Sequence, residues 1–370
     1  MRRVGILFGG RSGEHDVSLR SAASVVHRLD RQEFEPVPIG ITRGGAWFAQ
    51  DTTRIETEAG EQGVLSIEEN EHMRVSVYPS RGLSSGSSPL ALDVVFPVLH
   101  GSFGEDGTVQ GLLEVAELPY VGAGVLGSAL GMDKEIAKRA WQQAGLPTVS
   151  FETLRREDLV DETDVLDDTR IAAAMKRIEE TIAMPWFVKP GRAGSSVGVT
   201  RVETPQTFAE AVRAALSFDT KLLVEPEVQG REIEVSVVGT ESVRTFPPGE
   251  IRPTHGFYSY EAKYIDPDGA ALFVPAELPA ETSRHIRSLA AKAYRAVDCE
   301  GFARIDFFLE SHSGAPQLNE INTIPGFTSI SMFPKLCEEG ELPYDALLSE
   351  LIRLALRRAK IKSALSYQWL

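Results

Sequence analysis

The stretch that most constrains this chain is its beginning. Residues 4–8, Val-Gly-Ile-Leu-Phe, form an apolar run that ends in Gly9-Gly10-Arg11-Ser12-Gly13, after which Val17, Ala22, Val25 and Val26 recur at roughly helical spacing. That order predicts a buried strand, a glycine turn and a helix, the opening of an α/β layer unit. Residues 75–78 and 93–99 read as further strands, separated by the polar stretch 80–89, and 109–116 as a helix, so this unit ends near Val121. Asp133 can cap a helix carrying Ala137, Ala140, Trp141 and Ala144 on one face, with Gly145 as its terminator, and this helix opens a second unit.

Beyond it, residues 152–168 are acidic and predict a solvated surface excursion. Residues 185–189 and 197–199 are β-like and bracket a loop rich in glycine and serine, and 221–225 is another strand. Residues 232–237 alternate with period two, 302–309 and 317–321 supply more strands, and 346–359 is an amphipathic closing helix. With 370 residues the chain has room for two or three domains.

Charge and cysteine usage remove several functions. Thirty-eight basic against 53 acidic residues leave a net charge of −15, a field that opposes nonspecific binding to nucleic acid. Cys299 and Cys337 form no Cys-x-x-Cys, so neither a disulfide scaffold nor a thiolate zinc site is indicated and a reducing cytoplasm is the natural compartment. The apolar run after Met1-Arg2-Arg3 stops at Gly9, too short for an export signal, and no run approaches the roughly 18 residues of a membrane span.

Four segments carry candidate chemistry. Residues 9–18 form a glycine turn between strand and helix, where backbone N–H groups can bind an anion; a plain structural turn fits this segment equally well. Lys189 ends a strand and opens Pro190-Gly191-Arg192-Ala193-Gly194-Ser195-Ser196, a flexible loop suited to a triphosphate, but no Gly-Lys-Ser/Thr closes it, so it is not a Walker A loop. Gly194-Ser195-Ser196-Val197-Gly198 also has the spacing of a nucleophile elbow, yet a β-like segment follows where that motif needs a helix. Alternation puts Arg304 with Asp306, and Glu320 with Asn322, each pair on one strand face. Paired, those strands gather oxygen ligands for a hard cation such as Mg²⁺ bridging to phosphates; two amphipathic strands with polar outer faces are the alternative. Residues 256–264 are a polar-aromatic loop that could carry a lysine over a site. None of the seven histidines forms a zinc-hydrolase pair, and His100 stands out by following a strand's carboxyl end, where α/β sheets present ligands.

Taken together, these segments resemble the D-alanine:D-alanine ligases of the ATP-grasp superfamily. The resemblance rests on GGRSGEHDVSL at 9–19, HGSFGEDGTVQG at 100–111, GMDK at 131–134, VKPGRAGSSVGV at 188–199, GREIEV at 230–235, YEAKY at 260–264, and ARIDFF and NEINTIPGFTSISMFP toward the end, and so covers nearly the whole chain. It implies an α/β (α+β) three-domain ATP-grasp architecture: an N-terminal Rossmann-like parallel-sheet substrate domain at 1–122, a central ATP-grasp domain at 123–229 and a catalytic domain at 230–370.

By resemblance, Lys134 and Lys189 match phosphate-binding lysines, Lys263 the lysine of the closing loop, and Ser195 and Ser196 lie in the phosphate loop. Glu225, the Pro226 carbonyl and the Val228 backbone match the adenine contacts, and Glu232 the ribose contact. Asp306, Glu320 and Asn322 match the ligands of two Mg²⁺ ions, with Mn²⁺ able to substitute. Glu14 matches the carboxylate that holds the first D-alanine's ammonium, His100 sits beside it, and Ser195 and Tyr264 match its hydrogen-bonded partners. Ser331 and Met332 lie where the second D-alanine's carboxylate binds, and Arg304 with the Gly326 N–H is placed for the tetrahedral oxyanion.

The implied reaction joins two D-alanines to a dipeptide through a D-alanyl phosphate, for peptidoglycan precursor synthesis, in a cytoplasmic homodimer. Its rivals are a D-Ala-D-lactate or D-Ala-D-serine ligase, which the intact YEAKY segment disfavours, and a catalytically inactive nucleotide-binding regulator, which would have no need of Arg304. One departure is Glu227, an acidic residue where relatives often carry an aromatic.

Overall fold

The computed structural model describes residues 1–253 and 269–366. Its first sheet runs Trp47–Ala49, Phe34–Ile41, Arg2–Gly9, Val94–Pro97, and the last three strands are parallel. Strands buried on both faces need no polar alternation, which is why residues 4–8 read as unbroken apolar sequence. Parallel pairing also brings the glycine turn after Gly9 and His100 after Val94–Pro97 to the same edge of the sheet. The polar stretch 80–89, expected as a connection, contains two strands, Gly82–Ser85 and Ser88–Leu90, antiparallel beside Val75–Tyr78. Their serines and glycines give no apolar pattern to read, and Leu83 is the one apolar side chain they bury.

A second sheet is antiparallel throughout, in the order Thr200–Val202, Trp186–Pro190, Lys221–Pro226, Glu152–Arg155. It has its own core, in which Trp186 and Phe208 meet edge to face at 5.7 Å. The acidic excursion is therefore only partly solvated: it contributes Glu152–Arg155 and the short helix Arg156–Leu159, anchored by buried Leu154 and Leu159. Residues 197–199, expected to extend, instead follow the left-handed Ser195 and Ser196 (φ 51° and 58°) through a turn, and the strand begins at Thr200.

The third sheet runs Ala270–Phe273, Gly249–Pro253, Gly230–Gly239, Gly301–Glu310, Pro316–Asn322, all antiparallel, with Val243–Thr245 on Gly230–Gly239. Helix Lys134–Gln143 is capped by Asp133 as expected, but rather than joining the second sheet's core it gives Ala137 and Trp141 to this third sheet's core beside Ile233 and Ile305. The closing helix Tyr344–Ser363 buries Leu347, Leu348, Leu351 and Ile352 in one core with Val4, Phe8 and Phe96 of the first sheet. Phe327 bridges the two units within that core, edge-on to Phe96 at 5.7 Å and to Phe302 at 5.3 Å. Among the described residues no helix is long and apolar enough to cross a membrane.

Candidate active site

Glu14 lies directly before helix His15–Arg28 and is buried. The Ser195 hydroxyl donates to its Oε1, so the loop of the second unit closes on a carboxylate of the first. Two glycines make room for this: a Cβ on Gly101 would lie 2.4 Å from Glu14 Oε2, and one on Gly194 would lie 2.8 Å away. Gly101 has the further need of a left-handed φ of +71°.

His100 sits behind this carboxylate, with Nδ1 2.8 Å from the Ile324 carbonyl and Nε2 2.9 Å from the Ser21 hydroxyl. Burial pushes its imidazole below the usual histidine range, although the Glu14 charge pulls the other way. The neutral ring therefore carries its proton on Nδ1, facing the carbonyl. Sequence reasoning missed Glu105, the second side chain that holds the Ile324 backbone. Glu105 accepts the Gly101 N–H at 2.7 Å and the Ile324 N–H at 2.8 Å, so His100 and Glu105 together satisfy both polar groups of the Ile324 backbone. Burial, with the Glu14 charge adding to it, pushes the Glu105 carboxyl up to about 8. Within HGSFGEDG, Glu105 reads as one more acid in a turn; its partner is 219 residues away in sequence.

On the third sheet the expected juxtaposition is present. Arg304 faces Asn322 and Asp306 faces Glu320 across the strand pair. Arg304 holds Asp306 with two hydrogen bonds, of 2.8 and 2.7 Å, and lies 3.2 Å from Glu234. Against its own burial, those two acids hold the guanidinium firmly protonated. The Asn322 amide donates to Asp306 at 2.9 Å. Two carboxylates and an amide on one face form an all-oxygen donor set, which suits a hard divalent cation that completes its shell with substrate phosphates.

The residues around Lys134 and Lys189 are built into paired charges. Lys134 Nζ donates to the Ala193 carbonyl at 2.8 Å and lies 3.4 Å from Glu320. Lys189 Nζ is 2.5 Å from Glu225 and 3.4 Å from Asn319 Oδ1. These contacts gather Lys134 and Lys189 beside the acids Glu225 and Glu320, an alternation of charge that fits a metal-bound polyphosphate. Asp133, besides capping its helix, takes Lys221 at 2.5 Å, and Glu135 takes the same ammonium at 2.9 Å, which ties that helix to the central sheet. Pro226, Val228 and Glu232 are half-buried at the junction of strands Lys221–Pro226 and Gly230–Gly239. Glu227 is turned away to Arg201, which holds it with two contacts of 2.9 Å.

Gly326 faces Ser331, whose hydroxyl would lie 2.7 Å from an added Cβ. Ser331 precedes helix Met332–Glu339 and accepts the Thr328 N–H at 3.1 Å. The Met332 side chain is buried in the shared core, which leaves its backbone N–H at the helix start as the group that can face a ligand. Ser196 has a left-handed backbone in the loop beside Ser195. Lys263 and Tyr264 lie outside the described residues.

Known proteins resemble this chain over nearly its whole length. Residues 3–123 match the family described as D-ala D-ala ligase N-terminus, and residues 140–353 match D-ala D-ala ligase C-terminus. A D-alanine--D-alanine ligase of Treponema denticola is 44% identical over 362 residues, covering 96% of each chain. D-alanine--D-alanine ligase A of Bradyrhizobium diazoefficiens is 44% identical over 371 residues, covering 98% of this chain and 97% of that one. The D-alanine-D-alanine ligase of Coxiella burnetii superposes with a TM-score of 0.82 at 32% identity, covering 98% of this chain and 96% of that one. The VanG D-Ala:D-Ser ligase of Enterococcus faecalis does so with a TM-score of 0.81 at 35% identity, covering 96% and 99%. With both family halves matched in order and relatives aligned end to end, this ATP-grasp chain belongs to the D-alanine–D-alanine ligase family.

Proposed function

We infer that this protein condenses two D-alanines into D-alanyl-D-alanine with the hydrolysis energy of ATP, supplying peptidoglycan precursor synthesis. The observation that carries the reading is the strand register that sets Arg304 and Asp306 opposite Asn322 and Glu320, with Lys134 3.4 Å from Glu320. It supports phosphoryl transfer and acyl transfer at one place.

Glu14, oriented by Ser195, holds the ammonium of the first D-alanine, with His100 behind it. Lys134 and Lys189, joined by Lys263, and the Ser195–Ser196 loop draw in the phosphates, while Glu225, Pro226 and Val228 take the adenine and Glu232 the ribose. A carboxylate oxygen of the first D-alanine attacks the γ-phosphorus as the bond to ADP breaks, giving D-alanyl phosphate. Asp306, Glu320 and Asn322 would hold the divalent cation, two Mg²⁺ in our assignment with Mn²⁺ able to replace them, which neutralises phosphate charge. Ser331 and the Met332 N–H hold the carboxylate of the second D-alanine. Its amine attacks the acyl carbon, Arg304 and the Gly326 N–H take the charge growing on the oxygen, and phosphate leaves. Water must be excluded, because hydrolysis of the acyl phosphate would waste ATP, and by resemblance Tyr264 joins Ser195 as a hydrogen-bonded partner of Glu14.

The three-domain division at 1–122, 123–229 and 230–370 belongs to this proposal, as do a homodimeric assembly and a cytoplasmic location. Two buried, unpaired cysteines, Cys299 and Cys337, whose thiols burial pushes well up, support a reducing compartment.

Phosphate release from Mg-ATP with D-alanine, with chromatography of the product, tests the reading. Release that requires D-alanine and yields only the dipeptide is the expected result. A mixed product on adding D-serine or D-lactate would move the chain toward the reaction of the D-Ala:D-Ser relative, and nucleotide binding without turnover would make it a regulator.

A further inference from the structure

Helix Lys134–Gln143 carries a second lysine one turn beyond Lys134, and its surroundings are different. Lys138 is fully buried, with Nζ 3.0 Å from Glu225 Oε1 and 3.5 Å from the Leu318 carbonyl oxygen. Lys189 approaches the other oxygen of Glu225 at 2.5 Å. One buried carboxylate is thus bracketed by two ammonium groups. Lys189 keeps 11% of its side chain exposed and Lys138 none, so Lys189 is the one that can turn to a nucleotide phosphate. A buried carboxylate left without a cation takes up a proton rather than stay charged.

We propose that Lys138 is a positioning residue for nucleotide recognition: it keeps Glu225 ionised while Lys189 is engaged with phosphate, and so sets the purine preference. The inference rests on the adenine role given to Glu225 above. Burial against Glu225 holds Lys138 at about 8, on the charged side at neutral pH, and the two lysines hold Glu225 below the usual carboxylate range despite its burial. An ionised carboxylate only accepts hydrogen bonds, so it welcomes the amino group of adenine and repels the carbonyl oxygen that hypoxanthine has in its place. A protonated Glu225 could donate to that oxygen, and the discrimination would collapse.

The test is the ratio of kcat/KM for ATP to that for inosine triphosphate, which does not depend on the fraction of active protein. It is measured in the unmodified enzyme, in Lys138→Met, in Lys138→Gln and in Glu225→Gln. Both lysine variants are expected to lower the ratio about tenfold or more, the scale of one charged hydrogen bond. A ratio kept by Glu225→Gln would remove the adenine role of Glu225 itself. A ratio lost in Glu225→Gln but kept in both lysine variants would overturn the inference about Lys138 alone. Failure of both lysine variants to fold would also overturn it, and make Lys138 a structural residue.

Discussion

The surroundings of Glu14 and those of Glu225 and Glu320 are held together by different forces. Around Glu14, side chains of the first unit grip backbone groups of the third: His100 and Glu105 take both polar groups of Ile324, and the Phe327 N–H reaches Ser21 at 3.4 Å. Around Glu225 and Glu320, Lys189 and Lys134 meet carboxylates, and each carboxylate is a partner that a phosphate could replace. Backbone hydrogen bonds in a buried place fix one geometry. Ion pairs at a cleft can be exchanged for others, because much of their attraction to a carboxylate is recovered with a phosphate. Under the proposed assignment the small substrate meets groups fixed by backbone hydrogen bonds, and the large polyanion meets a set of exchangeable charges.

Truncation on the two sides should separate activity from stability. Lys189→Met is expected to lower kcat/KM for ATP by about 10²–10³, the usual loss for one preorganised charge donor. Its unfolding midpoint should barely move, because Glu225 keeps Lys138 at 3.0 Å. Steady-state kinetics beside a urea titration would decide this, and a large stability loss would mean that Lys189 is as fixed as the other side.

Glu105→Ala is expected to do the opposite. It strands the Gly101 and Ile324 N–H groups, so a loss of about 2–3 kcal/mol in unfolding free energy should appear together with a raised KM for D-alanine. A kinetic defect without a stability loss would show that the grip on Ile324 contributes nothing to the fold.

The smallest expected effect is on pH dependence. A carboxyl whose value rises on folding favours the protonated folded state, so its support is fullest below the unfolded value of 4.5 and falls as pH climbs toward 8. Across that window the unmodified protein should lose stability relative to Glu105→Gln, read as converging or crossing urea midpoints. Parallel curves would place a charged Glu105 in the folded protein at all pH values tested.

Part of this fold was legible in the sequence: the strand Phe34–Ile41 and the helices Asp168–Glu179, Pro205–Ala215 and Ala280–Ala296 went unread despite their apolar residues, and two short strands went unread for want of them. Strands with strong patterning, such as Gly301–Glu310 and Pro316–Asn322, were read within a residue or two, and with them the face shared by Arg304, Asp306, Glu320 and Asn322. Gly82–Ser85 and Ser88–Leu90 were not, because backbone pairing rather than side-chain burial makes them strands. Glu105 and Lys138 escaped for a related reason. Each is a charged residue whose meaning lies in a partner 219 or 87 positions away, and a charge normally signals solvent. For Lys138 a hint existed: it sits three residues before buried Trp141, on the face of the helix that packs inward.

The core in which Tyr344–Ser363 lies against the first sheet sets the unit of exchange between relatives. Residues 3–123 look like a separable module in sequence, but Leu347, Leu351 and Ile352 cover the same core as Val4, Phe8 and Phe96. A graft that moves the amino-terminal segment between two relatives therefore has to carry the last helix with it, joining the two ends of the gene as one inherited part.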